Sequence, residues 1–122
     1  MSHEPVGTAS EPRDALTEKL HRTELQHSAS SIEGREIVQV LTEIPAGVES
    51  GWHTHPGEEV GYILEGTVQM EIKDHPTLML QAGSTFLIPP GTPHNATDLG
   101  PGTGRMLSTY IVEPGRPLAR FV

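Results

Sequence analysis

The sequence predicts an all-β fold, either a sandwich or a barrel, and two observations support this prediction. Four segments are short, apolar or alternating, and rich in strand-forming residues: 37–44, 60–64, 67–72 and 106–112. Turn signals that contain glycine or proline separate them, at residues 45–47, 56–57, 65–66, 82–84, 89–91 and 100–102. Short strands at such regular spacing are typical of sandwiches and barrels.

The N-terminal region has a different pattern. Residues 1–14 are polar, contain two prolines and show no periodicity, so we interpret them as a tail. Residues 14–21 are compatible with a short helix or with an extended arm. The 122 residues suffice for one domain and are too few for two. We therefore divide the chain into an N-terminal tail or arm, residues 1–30, and one β domain, residues 31–122.

The middle strands carry the clearest alternation. Between 67 and 72, Val68, Met70 and Ile72 share one face, which we expect to point inward. Gly66 precedes this strand at a tight reversal, where we predict a positive φ that glycine adopts at no steric cost.

Three histidines and one glutamate have the spacing of a metal site. His53 and His55 alternate in an extended segment, so both imidazoles project from one face. The turn at Pro56-Gly57 lets Glu59 on the next strand approach the same point. His94, delivered from a distant turn, would complete the set.

These residue types suit a first-row transition ion, because neutral imidazole and carboxylate are its common ligands. The chain contains no cysteine, so no thiolate favours zinc or copper(I). We expect one divalent ion: iron, manganese, nickel and cobalt fit this ligand set, and zinc and copper(II) fit as well. Four protein ligands leave one or two positions open, as a reactive site requires.

The spacing of these residues resembles the two conserved motifs of the cupins, over residues 36–113. The positions that match the motifs are Gly47, His53, His55, Glu59, Gly66, Gly83, Pro89, Gly91 and His94. One position departs, since the family has asparagine where this chain has Asp98, at a site that is usually structural. The resemblance implies a double-stranded β-helix, or jelly-roll barrel, and a homodimer that pairs through terminal strands.

Charge and composition narrow the partners. Sixteen acidic residues against eight basic ones give a net charge of −8, which repels nucleic acid and anionic membranes. No apolar run approaches the ~20 residues that span a bilayer, and the N-terminus lacks an apolar signal segment. We expect a cytoplasmic protein whose partner is a small-molecule substrate.

A substrate pocket is predicted beside the ligands. Gly61 shares the inward face of Glu59, and its missing side chain would leave space next to the metal; equally, it could relieve packing against a neighbouring strand. Ile63, Met70 and Ile72 would line this pocket, together with the segment 85–88. These residues are mostly apolar, so we expect a small, largely apolar substrate.

Two arginines, Arg35 and Arg105, lie near the starts of predicted strands. Neither falls in the predicted pocket, which argues against an anionic sugar phosphate as the substrate.

Three functions are compatible with the sequence. The resemblance favours an oxygenase of the dioxygenase type, because cupins with this ligand set include dioxygenases acting on phenolic or enolizable compounds. A non-redox isomerase, lyase or cyclase would need an acid or base beside the metal, and within the motif Glu59 is the candidate catalytic residue. The third possibility is a non-catalytic module that binds a small molecule.

Overall fold

The computed structural model describes residues 13–122 of the chain. The N-terminal residues 1–12, which we expected to be a tail, lie outside this range. A short 3₁₀ helix spans Ala15–Glu18. The strands follow in chain order: β1 His21–Ala29, β2 Glu36–Ile44, β3 His53–Thr54, β4 Gly57–Glu65, β5 Thr67–Ile72, β6 Leu78–Gln81, β7 Thr85–Ile88, β8 His94–Asp98, β9 Gly104–Val112 and β10 Arg120–Phe121.

The strands form two five-stranded sheets. The first has the order β1-β2-β9-β4-β7, and the second has the order β10-β3-β8-β5-β6. Every pairing within the two sheets is antiparallel. Two antiparallel sheets that enclose a shared core are the architecture of a jelly-roll barrel, so the predicted all-β fold is confirmed.

Both sheets contribute side chains to one large core, because buried and outward residues alternate along the strands. In β5 the inward set is Val68, Met70 and Ile72, as the sequence predicted. The remaining members come from the N-terminal segment, the first sheet, the other strands of the second sheet and the C-terminal end: Leu16, Leu20, Ile44, Ile63, Leu80, Phe86, Ile88, Ala96, Met106 and Ala119. The turn before β5 also matches the prediction, since Gly66 has a φ of 89°.

The N-terminal segment is part of the folded unit. β1 runs antiparallel to β2 over its whole length, so the boundary that we drew at residue 31 falls in a hairpin turn. β1 was not predicted as a strand because its residues are nearly all polar and exposed, which leaves no alternation to detect. Before it, the 3₁₀ helix begins at Asp14, whose carboxylate accepts a hydrogen bond from the Leu16 N–H at 3.1 Å.

This N-terminal helix closes one region of the barrel. Leu16 is 2% exposed and Leu20 is 4% exposed, and both belong to the large core. No helix among the described residues is long and apolar enough to cross a membrane.

Candidate metal centre

Two adjacent strands hold the three histidines. His53 and His55 lie two residues apart, and both are buried while Thr54 between them is not. His94 begins β8 and faces His53 directly across the antiparallel pair. The ring centroids of His53 and His94 are 4.1 Å apart, and each lies 4.9 Å from that of His55. The alternation predicted from the sequence therefore brings these imidazoles to one point.

The backbone fixes which nitrogen of each histidine faces that point. The Nδ1 of His53 lies 2.7 Å from the Gly51 carbonyl, and the Nδ1 of His55 lies 2.7 Å from the Leu118 carbonyl. The Nδ1 of His94 makes the same kind of contact, at 2.9 Å to the carbonyl of Thr92. A carbonyl only accepts hydrogen bonds, so each Nδ1 carries the proton in the neutral ring. Each Nε2 is then left with a lone pair, the form in which imidazole binds metals.

Glu59 completes the cluster. Its Oε1 lies 3.1 Å from the Nε2 of His55 and 3.2 Å from the Nε2 of His94, and its side chain is 2% exposed. Where neither Nε2 carries a proton, its lone pair faces a lone pair of the Glu59 oxygen, and the two repel each other. A cation bound between them would make this arrangement favourable. Two ligand atoms about 2.1 Å from one ion and at right angles are about 3 Å apart, which matches both distances.

The ionisation of these groups also fits a cation. Burial, with His94 and His55, lowers the pKa of His53 to about 2, so this ring stays neutral. Burial by itself would raise the pKa of Glu59, but positive charge at the Nε2 positions of His55 and His94 outweighs burial and holds the pKa well below the usual range; where these rings are neutral, a bound cation would supply that charge. The cluster therefore includes the neutral imidazole of His53 and the carboxylate of Glu59, and among the described residues the three histidines could hold a metal ion.

A second set of hydrogen bonds orients the other oxygen of Glu59. Ser108 Oγ donates to Oε2 at 2.7 Å, and Tyr110 Oη donates to it at 3.2 Å. Both donors lie on β9, beside Glu59 in the first sheet. No local pattern selects them as partners of Glu59, because they are about fifty residues from it in the chain. Their alternation along β9 was the available signal.

The chain of hydrogen bonds continues to the N-terminal strand. Arg22 Nη1 donates to Tyr110 Oη at 3.0 Å and to Thr42 Oγ1 at 2.8 Å. Asp14 holds the other side of the guanidinium, with Oδ2 at 2.9 Å from Nε and 2.8 Å from Nη2. Burial lowers the pKa of Arg22, but Tyr110 and Asp14 outweigh it and leave the pKa raised, so the side chain stays charged although it is 2% exposed.

Tyr110 is therefore held between a carboxylate and a guanidinium. Its ring packs against His55 with centroids 4.6 Å apart. Burial raises the pKa of Tyr110 and Arg22 opposes part of that rise, so the hydroxyl remains a hydrogen-bond donor.

A cavity of about 10 Å³ lies at this cluster. That volume accommodates an ion or a single water molecule and is far too small for an organic substrate. Its walls come from both sheets and from the N-terminal segment: Leu16, Leu20, Ser50, His53, Glu59, Met70, His94, Ala96, Met106 and Tyr110. Leu16 and Leu20 are thus two of the apolar side chains that close this cavity.

The predicted pocket is only partly present. Met70 lines the cavity, whereas Ile63 and Ile72 are buried in the core and are not among its walls. At Gly61, an added Cβ would lie 2.0 Å from the Phe86 ring, so Phe86 fills the space that we expected to be open. The alternative that Gly61 relieves packing against a neighbouring strand describes this contact, because Phe86 faces Gly61 across the β4–β7 pair.

Comparison with known proteins relates this chain to a protein family. A family model described as a cupin domain matches residues 40–110. An uncharacterized protein of Bacillus subtilis, YdbB, is 43% identical over 47 residues, which is 38% of this chain and 42% of that protein. Dimethylsulfoniopropionate lyase DddQ of Ruegeria pomeroyi is 37% identical over 58 residues, 48% of this chain and 29% of the lyase. The matched segments thus span less than half the length of these two relatives.

Solved structures share the fold. The crystal structure of DddQ superposes with a TM-score of 0.72 at 19% identity, covering 87% of this chain and 53% of the lyase chain. Oxalate decarboxylase of Bacillus subtilis superposes with a TM-score of 0.63 at 20% identity, covering 70% of this chain and 23% of that chain. At these identities the superpositions establish a common barrel.

Proposed function

The chain belongs to the cupin family, and on that premise we propose that it is a metal-dependent lyase acting on a small enolizable compound. The observation that carries this proposal is the hydrogen bond from Tyr110 Oη to Glu59 Oε2, at 3.2 Å. It supplies a proton-bearing group beside the ligand cluster, which non-redox chemistry requires.

The oxygenase expectation rested mainly on the resemblance to cupin dioxygenases, and the lack of an acid–base group beside the metal was a second, weaker reason for it. No tyrosine or further histidine in the motif region had a position that suited acid–base chemistry, and that reason disappears once Tyr110 lies against the cluster. The comparisons point in the same direction, because one relative is named as a lyase and one structural neighbour as a decarboxylase. Neither name describes an oxidation by dioxygen.

The bound ion and the residues around it have separate roles in the proposed reaction. A bound divalent ion supplies Lewis acidity toward a carbonyl or carboxylate oxygen. In an elimination, Glu59 Oε2 would take the proton from the carbon next to the carbonyl, and Tyr110 Oη would give its proton to the leaving group as the bond to that group breaks, with Arg22 at 3.0 Å stabilising the phenolate. The 3.2 Å hydrogen bond between the two residues would then return the proton from Glu59 to Tyr110. Glu59 keeps Oε1 toward the histidines while Oε2 accepts from Ser108 and Tyr110.

The dry surroundings strengthen these interactions. Tyr110 and Glu59 are 0% and 2% exposed, and the cavity beside them is bounded by Leu16, Leu20 and Met70. Electrostatic contacts are stronger in such a site than in water. Substrate entry through the N-terminal side would displace the two leucines, and their return would exclude water during the reaction.

The test is turnover under strict exclusion of oxygen. Protein reconstituted with zinc, manganese, iron, nickel or cobalt is incubated with a panel of small enolizable carbonyl and carboxylate compounds, and products are followed by NMR. Elimination or decarboxylation products without oxygen, including in the zinc sample, are the expected result. Turnover confined to iron or another redox-active ion with oxygen present would instead identify an oxygenase, and metal binding with no turnover in either condition would favour a binding module.

We also propose that the protein is a homodimer in solution. The outer face of the first sheet carries an apolar patch that includes Val60 (46% exposed), Tyr62 (44%) and Leu87 (60%). Val60 and Leu87 are direct neighbours across the β4–β7 pair, and Tyr62 lies beside Leu107 of β9. A contiguous apolar face of this kind on a soluble domain usually marks an interaction site, and a second copy of the same face is the simplest cover for it.

A further inference from the structure

A second cleft lies next to the metal-ligand cluster. Charged side chains line it, whereas the cavity at the cluster is lined largely by apolar ones. It has a volume of about 310 Å³, which is at the lower end of small-molecule sites. Its walls come from the loops around β3, from the start of β2 and from the C-terminal segment: Arg35, Thr54, His55, Pro56, Pro90, Gly91, Glu113, Arg116, Pro117 and Arg120.

Positive charge is concentrated in this cleft. Three of the eight basic side chains of the molecule line it, although the whole chain carries a net charge of −8. Among the described residues that line the cleft, Glu113 is the one carboxylate, and it lies 2.6 Å from Arg116 and 3.9 Å from Arg35. Arg120 reaches the cleft from β10, where it pairs with Thr54. The described lining of the cleft therefore contains more guanidinium groups than carboxylates.

We propose that this cleft binds a small oxyanion ligand, a carboxylate or a phosphate ester, between Arg116, Arg120 and Arg35. Guanidinium groups present parallel N–H donors that match the paired oxygens of carboxylate and phosphate. Glu113 occupies part of that donor set, so the incoming anion competes with it for Arg116.

The frame of the cleft is rigid where the anion would lie. The Gly91 N–H donates to the His55 carbonyl at 3.0 Å, and the Glu113 N–H donates to the Pro56 carbonyl at 3.1 Å. Prolines at 56, 90 and 117 restrict the backbone on three sides. A preformed wall reduces the conformational entropy that ligand binding would otherwise cost.

The cleft is distinct from the cavity at the metal ligands. His55 connects the two sites, because it lines the cleft while its Nε2 contacts Glu59 of the metal-ligand cluster. The Leu118 carbonyl that holds the Nδ1 of His55 lies two residues after Arg116. The anion site does not depend on the proposed lyase activity and would bind its ligand in a protein with an inert metal centre.

The sequence alone pointed away from an anionic ligand. That interpretation considered Arg35 and Arg105 and required them to lie in the barrel pocket. Arg105 indeed lies elsewhere, paired with Glu43 and Glu65. Arg35 instead meets Arg116 and Arg120, which are more than eighty residues away along the chain.

The experiment titrates the full chain with inorganic phosphate and, separately, with malonate at constant ionic strength maintained by sodium chloride. Binding is followed by calorimetry and by amide NMR shifts. We expect saturable binding of one equivalent of at least one probe, with shifts centred on residues 54–56 and 113–120. Tighter binding of phosphate would indicate a phosphate ester as the natural ligand, and tighter binding of malonate a carboxylate.

Three variants make the test specific. Arg116→Ala is expected to weaken binding about tenfold, the effect of losing one charge-assisted donor group. Glu113→Gln is expected to strengthen binding severalfold, because it frees the Arg116 guanidinium. Arg105→Ala is the matched control, since it removes an ion-paired surface arginine outside the cleft and should leave binding unchanged.

Several results would overturn the proposal. Absence of saturation by both probes would do so, and so would equal affinity in the wild type and Arg116→Ala. Equal weakening by Arg105→Ala would show that general electrostatics, and not the cleft, attracts the anion. All three substituted side chains are at least a third exposed, so the variants are expected to fold, and circular dichroism checks this.

Discussion

Tyr110 Oη lies 3.2 Å from Glu59 Oε2 although the two residues are 51 positions apart in the chain. The contact joins a metal-ligand candidate on β4 to a buried phenol on β9, and Arg22 of β1 extends it to the N-terminal strand. The family model matches residues 40–110, so Arg22 comes from outside the matched region. The N-terminal strand therefore contributes a side chain to the site from outside the matched region.

The first prediction concerns Tyr110→Phe. This change keeps the ring against His55 and removes the hydroxyl that Glu59 and Arg22 share. We expect turnover to fall about 100-fold, the usual contribution of a positioned proton donor. Metal affinity should fall by about tenfold at most, because Ser108 still orients Glu59. Steady-state kinetics and metal competition assays measure the two effects.

The matched control for this prediction is Tyr62→Phe, because Tyr62 is the other tyrosine of the chain and is 44% exposed on the outer face of β4. It should retain full turnover. Equal activity in both variants would remove Tyr110 from the mechanism.

The second prediction concerns the ligands themselves. Replacing His53 and His55 together by alanine removes two of three imidazoles and should reduce metal content from one equivalent to near zero. The melting temperature should also stop responding to added metal, because a ligand stabilises only the state that binds it. Elemental analysis and thermal denaturation provide the measurements. His21→Ala, at a side chain that is 73% exposed, is the control, and unchanged metal content in the double variant would contradict the assignment.

The third prediction concerns Gly61. A methyl group there would lie 2.0–2.4 Å from three atoms of the Phe86 ring, so Gly61→Ala should destabilise the protein by about 1–3 kcal/mol through overpacking. Chemical denaturation gives this free energy of unfolding. Adding Phe86→Leu should recover part of the loss, because the smaller side chain leaves room.

Gly102→Ala serves as the control for this effect, since an added Cβ there meets nothing within 4 Å and no positive φ is involved. If the double variant lost more unfolding free energy than the two single variants lose together, the contact between Gly61 and Phe86 would not be the cause.

The fourth prediction concerns the pH dependence that Asp98 imposes. This side chain is 0% exposed, and neither carboxylate oxygen has a well-formed hydrogen bond among the described residues. Burial raises the pKa of Asp98 above its ordinary value of 3.8, and the Gly100 N–H offsets only part of that rise. The folded state then holds the proton more tightly than the unfolded state, so stability falls as pH rises from about 3.8 to the raised pKa and stays lower above it.

Asp98→Asn removes this ionisation and restores the amide that the cupin motif has at this position. The variant should therefore gain stability relative to the wild type as pH increases through that window. Urea denaturation between pH 4 and pH 8 measures the difference, and a difference that does not change with pH would rule out a raised pKa.

The fifth prediction concerns the apolar outer face. Val60→Glu and Leu87→Glu place like charges on adjacent strands of that face and should convert the dimer into a monomer, with little change in the fold because both side chains are exposed. Light scattering during size-exclusion chromatography gives the mass. Met79→Glu, a 56% exposed position on the other sheet, should leave the mass unchanged. A wild-type protein that already runs as a monomer would refute the dimer.

Much of the fold could be predicted because β4, β5 and β9 alternate with period two, and alternation is a local property of the sequence. The turn at Gly66 could also be predicted, since a positive φ restricts the choice of residue at that position. β1 could not be recognised in this way. It is held by pairing with β2 and by the contacts of Arg22, while its own side chains are polar and exposed.

The sequence by itself determined most of the candidate metal-ligand cluster, because the relevant spacings are short and strand geometry places alternate residues on a shared face. His53, His55 and Glu59 lie within seven residues, and only His94 needed the resemblance or the fold to join them. The tertiary structure decided everything that depends on pairing between distant strands. It brought Tyr110 to Glu59, filled the space at Gly61 with Phe86, and gathered arginines from both ends of the chain into one cleft. Such contacts are fixed by strand order and register, which no local pattern specifies.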